Sequence, residues 1–207
     1  MAVVDLRPLP VSRDPLRRVP QLFAGLALYG TSMALQVRAG LGLNPWDVLH
    51  QGLTLHAPWS FGVTTAITGV VVLLLWIPLR QRPGVGTVAN VLVIAVGVDI
   101  ALALIQTPTV LWGRIVMMVA GIVLNGVATA AYVGARLGPG PRDGLMTGLS
   151  ARTGWSVRLV RTGIEIVVLA TGWLLGGTVG VGTVLYALGI GPLTQAFLPF
   201  LAVRDRA

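Results

Sequence analysis

The chain has 207 residues, of which 55% are hydrophobic and 11% charged, and its mean hydropathy is +0.82. This small number of polar side chains cannot cover the surface of a soluble protein of this length. The composition therefore excludes a soluble domain and indicates a membrane protein. The formal net charge is +8, but every basic residue other than histidine is an arginine, and most lie between or beyond apolar runs. That distribution argues against a nucleic-acid-binding patch and makes nucleic acid an unexpected partner.

The chain starts with a polar lead. Its first 18 residues combine three prolines with four arginines, a mixture that predicts a short disordered segment. The following run, residues 19–37, is long enough to span a bilayer. It is similar to the internal run at 114–133, which cannot be a cleaved signal peptide. We therefore predict a retained first span.

Five further apolar runs of spanning length follow the first. Each is compatible with the roughly 20 residues that a helix needs to cross the hydrocarbon layer. Gly- and Pro-containing connections separate several of them, as expected of tight turns at the interface. The sequence therefore predicts six transmembrane helices, the last five at 60–79, 86–105, 115–135, 157–175 and 181–201.

An internal repeat divides these spans into two groups. Residues 40–53 return 96 positions later as 136–149, with a Pro-x-Asp motif in both copies. About two dozen identities between residues 18 and 94 at this offset predict a duplication. The predicted organisation is a lead at 1–18, a first repeat at 19–106 and a second at 107–203. Three spans per copy force opposite orientations, so the fold expected is an all-α membrane protein of two inverted three-helix repeats, an arrangement of secondary transporters.

Arginine distribution predicts the orientation. If the N-terminus lies in the cytoplasm, only Arg38 and Arg114 of the 15 arginines fall on the opposite side. Because cytoplasmic loops carry an excess of basic residues, both termini are expected in the cytoplasm.

The repeated motif also resembles a known family. The second copy, Gly138-Pro-Gly-Pro-Arg-Asp-Gly-Leu, and the later Gly180-Val-Gly-Thr are similar to the YczE branch of the YczE/YyaS/YitT group of bacterial membrane proteins. The resemblance covers most of residues 20 to 200. It implies a multi-pass protein of the bacterial inner membrane, and it carries over neither a substrate nor a catalytic residue.

Asp47 and Asp143 are the acids of the two motifs. Each follows a proline at the start of a run too short to span, at 48–56 and 144–152. One interpretation is a cap on a short interfacial or re-entrant helix, because a carboxylate is favoured at a helix N-terminus. The other is a pair of re-entrant helices that present carboxylates to an ion or substrate.

Asp99 lies inside the third predicted span. A lone carboxylate there costs about 2.5 to 3.5 kcal/mol on insertion scales and needs a partner or a wet cavity. A role in binding an ion or proton and burial near an interface both stay open.

Arg158, Arg161 and Glu165 form a charged stripe on the fifth predicted span. Their spacings of three and four residues place them on one helical face, where they can neutralise one another. The repeat places Gly62, Thr65 and Gly69 at the same positions, so the halves differ in charge there. The stripe either makes the span insertable or binds an anionic group.

No enzyme signature accompanies these residues. The chain has no cysteine, no Ser/His/Asp set, no zinc motif and no cofactor motif, so we expect neither catalysis, metal nor cofactor. His50 and His56 are expected at the interface. The function favoured by the repeat is a small secondary transporter or exporter of an unknown small molecule or ion, and the alternative is a non-transporting accessory or assembly factor. Besides the lipid bilayer, the partner considered is a second copy in a homodimer.

Overall fold

A computed structural model describes residue 6 and residues 8 to 203. This part of the chain is all-helical, with six long helices and two short ones. The short helices are α2 (Pro45–His56) and α6 (Pro141–Thr153). The long helices are α1 (Pro15–Ala39), α3 (Phe61–Leu79), α4 (Val85–Leu104), α5 (Leu111–Gly134), α7 (Val157–Leu174) and α8 (Val181–Leu201).

Four of the long helices are apolar enough to cross a membrane. They are α3, α4, α5 and α8, each at least 18 residues long with few charges. By the same measure α1 and α7 do not qualify. Arginines lie near both ends of α1, and α7 carries Arg158, Arg161 and Glu165 in 18 residues. Transmembrane helices are therefore present, and the full count of six stays a prediction.

The helices recur at the spacing of the sequence repeat. Each of α5, α6, α7 and α8 begins 96 residues after its counterpart α1, α2, α3 or α4. Local chemistry recurs with them. Pro45 and Pro141 each occupy the first turn of a short helix, where a missing N–H costs nothing. The hydroxyl oxygens of Ser60 and Ser156 cap α3 and α7 by accepting bonds from backbone N–H groups three residues on.

Contacts between the halves are reciprocal. The backbone N–H of Gly86 donates to the carbonyl oxygen of Leu137 at 2.9 Å. Their repeat equivalents, Gly182 and Leu41, make the same bond at 2.8 Å. Each bond joins one half to the other, so exchanging the halves reproduces the pair. A twofold relation produces such self-complementary contacts. How that relation is oriented in a membrane stays a prediction.

Helices α1 and α5 cross at the centre of the molecule through small residues. A Cβ on Gly25 would lie 2.8 Å from the backbone nitrogen of Tyr132, and a Cβ on Gly121 would lie 2.9 Å from Cγ of Gln36. These positions are again repeat equivalents. Small residues allow this backbone approach, as in other membrane helix pairs. Helix α4 packs on α1, and α8 packs on α5.

The short helices cross to the opposite half. Helix α2 packs on α7 and α6 packs on α3. At the second crossing the indole of Trp76 covers Gly144, and its Nε1 donates to the carbonyl oxygen of Pro141 at 3.0 Å. At the first crossing the equivalent of Trp76 is Gly172, which lies against the backbone of Leu49. A glycine thus allows close approach at both crossings, to a side chain at one and to the backbone at the other.

The residues before α1 are more ordered than the predicted lead. Helix α1 begins at Pro15, and Arg18 is fully buried. Its guanidinium donates to five carbonyl oxygens, those of Leu9, Pro10, Arg13, Ala135 and Arg136. Residues 9–18 are therefore fixed against the end of α5 by a residue type whose donors need many acceptors. Residues 1–5 and 7 of the predicted lead lie outside the described residues.

The arginines near α1 form two groups, one at each end of the helix. Arg18 and its neighbour Arg136 lie at the N-terminal end of this helix. At its C-terminal end Arg38 donates to the carbonyl oxygen of Leu102, and Nε of Arg114 donates to that of Ala39 at 2.6 Å. The two arginines that the sequence assigns to the opposite side of the membrane are thus together at one end.

Candidate functional site

A cavity of about 590 Å³ lies between the two halves. All eight helices of the described chain contribute to its wall. Its size is that of a small-molecule site, which is commonly 300 to 1,000 Å³. The three tyrosines of the sequence, Tyr29, Tyr132 and Tyr186, all line it. Apolar side chains form much of the remaining wall, among them Val72, Val91, Ile94 and Ile190.

The short helices begin at this cavity. The guanidinium carbon of Arg142 lies 4.7 Å from the ring centre of Trp46, a cation–π distance. These two residues occupy the same position in the two repeats, so their contact lies on the twofold relation. The short helices end at exposed residues, His56 and Thr153. Both therefore run from the interior of the bundle to its surface.

Arg142 has hydrogen-bond donors to spare. Its Nη2 lies 3.9 Å from the Oδ1 atom of Asp47, which is too long for a hydrogen bond. Among the described residues, none accepts a hydrogen bond from its guanidinium. The side chain is 25% exposed, and it lines the cavity. A guanidinium carries five N–H donors, so this one can still bind an acceptor group of a ligand.

Asp47 is fully buried behind the cavity wall. Its carboxylate accepts from Nδ2 of Asn44, and its Oδ1 lies 3.2 Å from Nδ1 of His50. That ring nitrogen is also 3.2 Å from the hydroxyl of Thr65. Asn44 additionally caps α2, accepting from the backbone N–H of Asp47 at 3.0 Å. Asn44 and His50 line the cavity, whereas Asp47 does not.

His50 differs from the interfacial residue expected. It is 1% exposed, and burial lowers its pKa although the neighbouring carboxylate of Asp47 raises it. The neutral ring is thus favoured. His50 is buried because the first turns of α2 lie inside the bundle, which the spacing of the two histidines does not show. His56 is exposed, as expected.

Asp143 faces the cavity. Its Oδ2 accepts a hydrogen bond of 3.0 Å from the hydroxyl of Tyr132. Burial raises the pKa of Asp143, while that hydrogen bond and the charges of Arg161 and Arg142 oppose the rise. A carboxyl held between these influences can exchange a proton at a site that a ligand reaches.

The charged stripe of α7 is split. Nε of Arg161 and Oε1 of Glu165 form an ion pair of 2.9 Å, and both residues line the cavity. Arg158 does not line it, and no described residue pairs with its side chain. The stripe therefore contributes one neutralised pair to the cavity.

Asp99 lies elsewhere. Its carboxylate accepts from the hydroxyl of Ser60 and, at 2.7 Å, from the backbone N–H of Gly62. It thus satisfies free donors at the start of α3, which is a structural task. Its repeat equivalent, Gln195, lines the cavity.

Several cavity residues were missed from the sequence. They are Trp46, Arg142, Asn90 and the three tyrosines. A signal for one pair was present, because the repeat aligns Trp46 with Arg142. The tyrosines gave none, since single aromatic residues in apolar runs are ordinary. Tyr186 is held in place by a polar chain, in which its hydroxyl donates to Asn125, and Asn125 donates to Ser32.

A family comparison places the chain among known proteins. The family of unknown function DUF6198 matches residues 16–199. The chain belongs to this family. No solved structure matches it.

Named relatives agree with this placement and with the predicted YczE-like resemblance. The chain is 42% identical over 181 residues to an uncharacterized protein of Haemophilus influenzae, covering 87% of this chain and 83% of the relative. It is 35% identical over 184 residues to the uncharacterized membrane protein YczE of Bacillus subtilis, covering 86% and 83%. The uncharacterized protein YyaS of the same organism is 25% identical over 184 residues, covering 86% and 90%. With four apolar helices, this DUF6198 member is a membrane protein.

Proposed function

We propose that this protein is a small secondary transporter of the bacterial inner membrane, with the central cavity as its substrate site. One observation carries the proposal. All eight described helices, from both halves, enclose a cavity of about 590 Å³ that holds Arg142, Asp143 and an Arg161–Glu165 pair. Charged side chains inside an apolar bundle are costly and therefore point to a substrate or ion path.

The proposal includes six spans in an inverted arrangement. Helix α7 has 18 residues and α1 has 25, which at about 1.5 Å per residue gives about 27 Å and 37 Å, near or above the thickness of a hydrocarbon core. Three spans per half make the halves antiparallel, and the reciprocal contacts support a twofold relation. The clustering of Arg38 with Arg114 favours cytoplasmic termini.

A transport cycle could use the twofold relation directly. In inverted-repeat transporters the halves rock around a central site and expose it to each side in turn. Asp143, whose pKa burial raises, is the residue we propose to carry a coupled proton. The alternative is a non-transporting assembly factor. Such a protein does not require a cavity that opens to water first on one face of the membrane and then on the other.

Cysteine labelling separates these functions, and the chain has no native cysteine. Thr68→Cys on α3 would line the cavity, whereas Val70→Cys would point from the same helix toward lipid, where the valine is 49% exposed. A charged, impermeant thiol reagent should modify Thr68→Cys in intact cells and in inverted vesicles, because each state opens the cavity to one side. It should modify Val70→Cys in neither. Labelling of Thr68→Cys from one side only, or from none, would favour the assembly factor.

A further inference from the structure

The first half is closed where α3 packs on α4. Two glycines of α3 allow this approach. A Cβ on Gly62 would overlap the carbonyl oxygen of Ala95, and a Cβ on Gly69 would lie 3.1 Å from a methyl group of Val91. Side chains at these two positions would therefore force the helices apart.

The second half is open at the corresponding place. Arg158 and Glu165 occupy the positions of Gly62 and Gly69, and α7 does not pack along α8 as α3 does along α4. Instead α8 packs mainly on α5, and α7 on α2 and α6. Gly191 of α8, which faces the cavity, has no neighbouring atom within 4 Å of a Cβ. Long charged side chains thus occupy the positions where α3 has glycines, and α7 and α8 are left separated by a gap, which we call the seam.

The cavity extends into the seam between α7 and α8. Arg161 and Glu165 line it from α7, and Tyr186, Ile190 and Gly191 line it from α8. Glu165 lies eight residues after the start of α7, which at about 1.5 Å per residue is about 12 Å along the helix. The outer face of α8 is apolar, with Leu188 72% exposed. The seam is therefore at hydrocarbon depth.

Inside the seam the chemistry is amphipathic. Of the charged groups that line the cavity, Arg136 donates to the carbonyl oxygen of Val203, Asp143 is bonded to Tyr132, and Arg161 is paired with Glu165. Arg142, by contrast, donates no hydrogen bond to a described residue. A carboxylate or phosphate of a bound molecule can accept charge-assisted bonds from these donors, since Oδ1 of Asp47 lies 3.9 Å away and accepts none of them. On the α8 side of the seam, Ile190 and Gly191 offer a surface against which an apolar chain can lie.

From this arrangement we propose that the cavity takes up an acyl-chain anion sideways from the bilayer, through the seam between α7 and α8. The anionic head binds at Arg142, and the chain lies in the seam. This inference rests on the proposed transport function and names its substrate class.

Binding of fluorescent acids tests the inference. The protein would be placed in phosphatidylcholine nanodiscs and titrated with dansylaminoundecanoic acid, its methyl ester and dansylglycine. We expect saturable binding of the long-chain acid, and binding at least about tenfold weaker for the ester and for dansylglycine, since one lacks the charge and the other the chain. Arg142→Gln should weaken binding of the acid by about tenfold or more and leave the ester unchanged.

Matched variants test the entry route. Gly191→Phe places a ring in the open space of the seam and should abolish binding of the acid. Gly163→Phe is the control, because that glycine is equally free of neighbours but does not line the cavity. Folding of both is checked by size-exclusion chromatography.

Three outcomes would overturn the inference. Equal binding of the acid and the ester would show that no anion site is involved. If dansylglycine binds and Gly191→Phe leaves its binding intact, ligands enter the cavity from water and not from the bilayer. Disulfide cross-linking of two copies through Gly191→Cys would show that a second copy covers the seam. The labelling of Thr68→Cys needs no acyl ligand. If that labelling succeeds from both sides while the binding experiments fail, the transport proposal stands and only lateral uptake is contradicted.

Discussion

At the scale of single residues, equivalent positions in the two halves have different surroundings. Asp47 is enclosed by Asn44 and His50, and it stays out of the cavity. Asp143 has glycine and methionine where Asp47 has those partners, so it bonds Tyr132 and meets the cavity. Both repeats carry the aspartate, but the residues around it differ, and only the carboxylate of Asp143 can reach a ligand in the cavity.

The Arg161–Glu165 pair gives a prediction at this scale. Glu165→Gln should lower the free energy of unfolding by about 1 kcal/mol or more, because an arginine without its partner in a span costs up to about 3.5 kcal/mol on insertion scales. Adding Arg161→Gln should restore most of the loss. Thermal unfolding in detergent measures both, and Arg158→Gln should change little, because Arg158 lies in the first turn of α7, at the end of the helix. A double variant as unstable as the single one would show that the pair does not stabilise the helix.

At the scale of helices, α3 and α7 show how one sequence pattern gives two packings. Both begin after a Trp-Ser pair whose serine is the cap, and both receive a short helix from the other half. They differ because glycine at two positions lets α3 approach α4, whereas α7 carries charges there. The helix is set locally, and its partner is set by side-chain volume.

Glycine substitutions test this difference. Gly62→Ala should destabilise the protein by about 1 to 3 kcal/mol, because its Cβ would overlap the carbonyl oxygen of Ala95. Gly163→Ala is the matched change in α7, where no atom lies within 4 Å, and should stabilise by up to about 1 kcal/mol through helix propensity. Thermal unfolding of both variants is the measurement. Equal effects at the two sites would mean that α3 and α4 are not closely packed.

At the scale of the whole molecule, the arrangement depends on its orientation in the membrane. The proposed topology predicts that Thr109→Cys, in an exposed connection between α4 and α5, reacts with an impermeant thiol reagent in intact cells. Gln81→Cys, in the connection between α3 and α4, should react only after the cells are opened. Reaction of Gln81→Cys in intact cells would reverse the orientation and contradict the arginine bias.

The sequence by itself determined the elements of this protein. Hydropathy located the long helices, the Pro-x-Asp motifs located the short ones, and the 96-residue repeat predicted which elements correspond. These features are local or linear, because a helix needs a run of suitable residues, and a duplication leaves matching letters at a fixed spacing. The motif also indicated the family, and the arginines were assigned to opposite ends of the first helix.

Only the tertiary structure decided which side chains meet. Each short helix crosses to the other half, so Arg142 meets Trp46 and His50 is buried. The repeat aligns Trp46 with Arg142, but it does not show that they touch, and no local spacing shows that the histidine is buried. Asp99 became a helix-end acceptor for the same reason, since its partner Gly62 lies on another helix. Convergence of distant residues depends on helix crossings, and those depend on which small residues let two backbones approach.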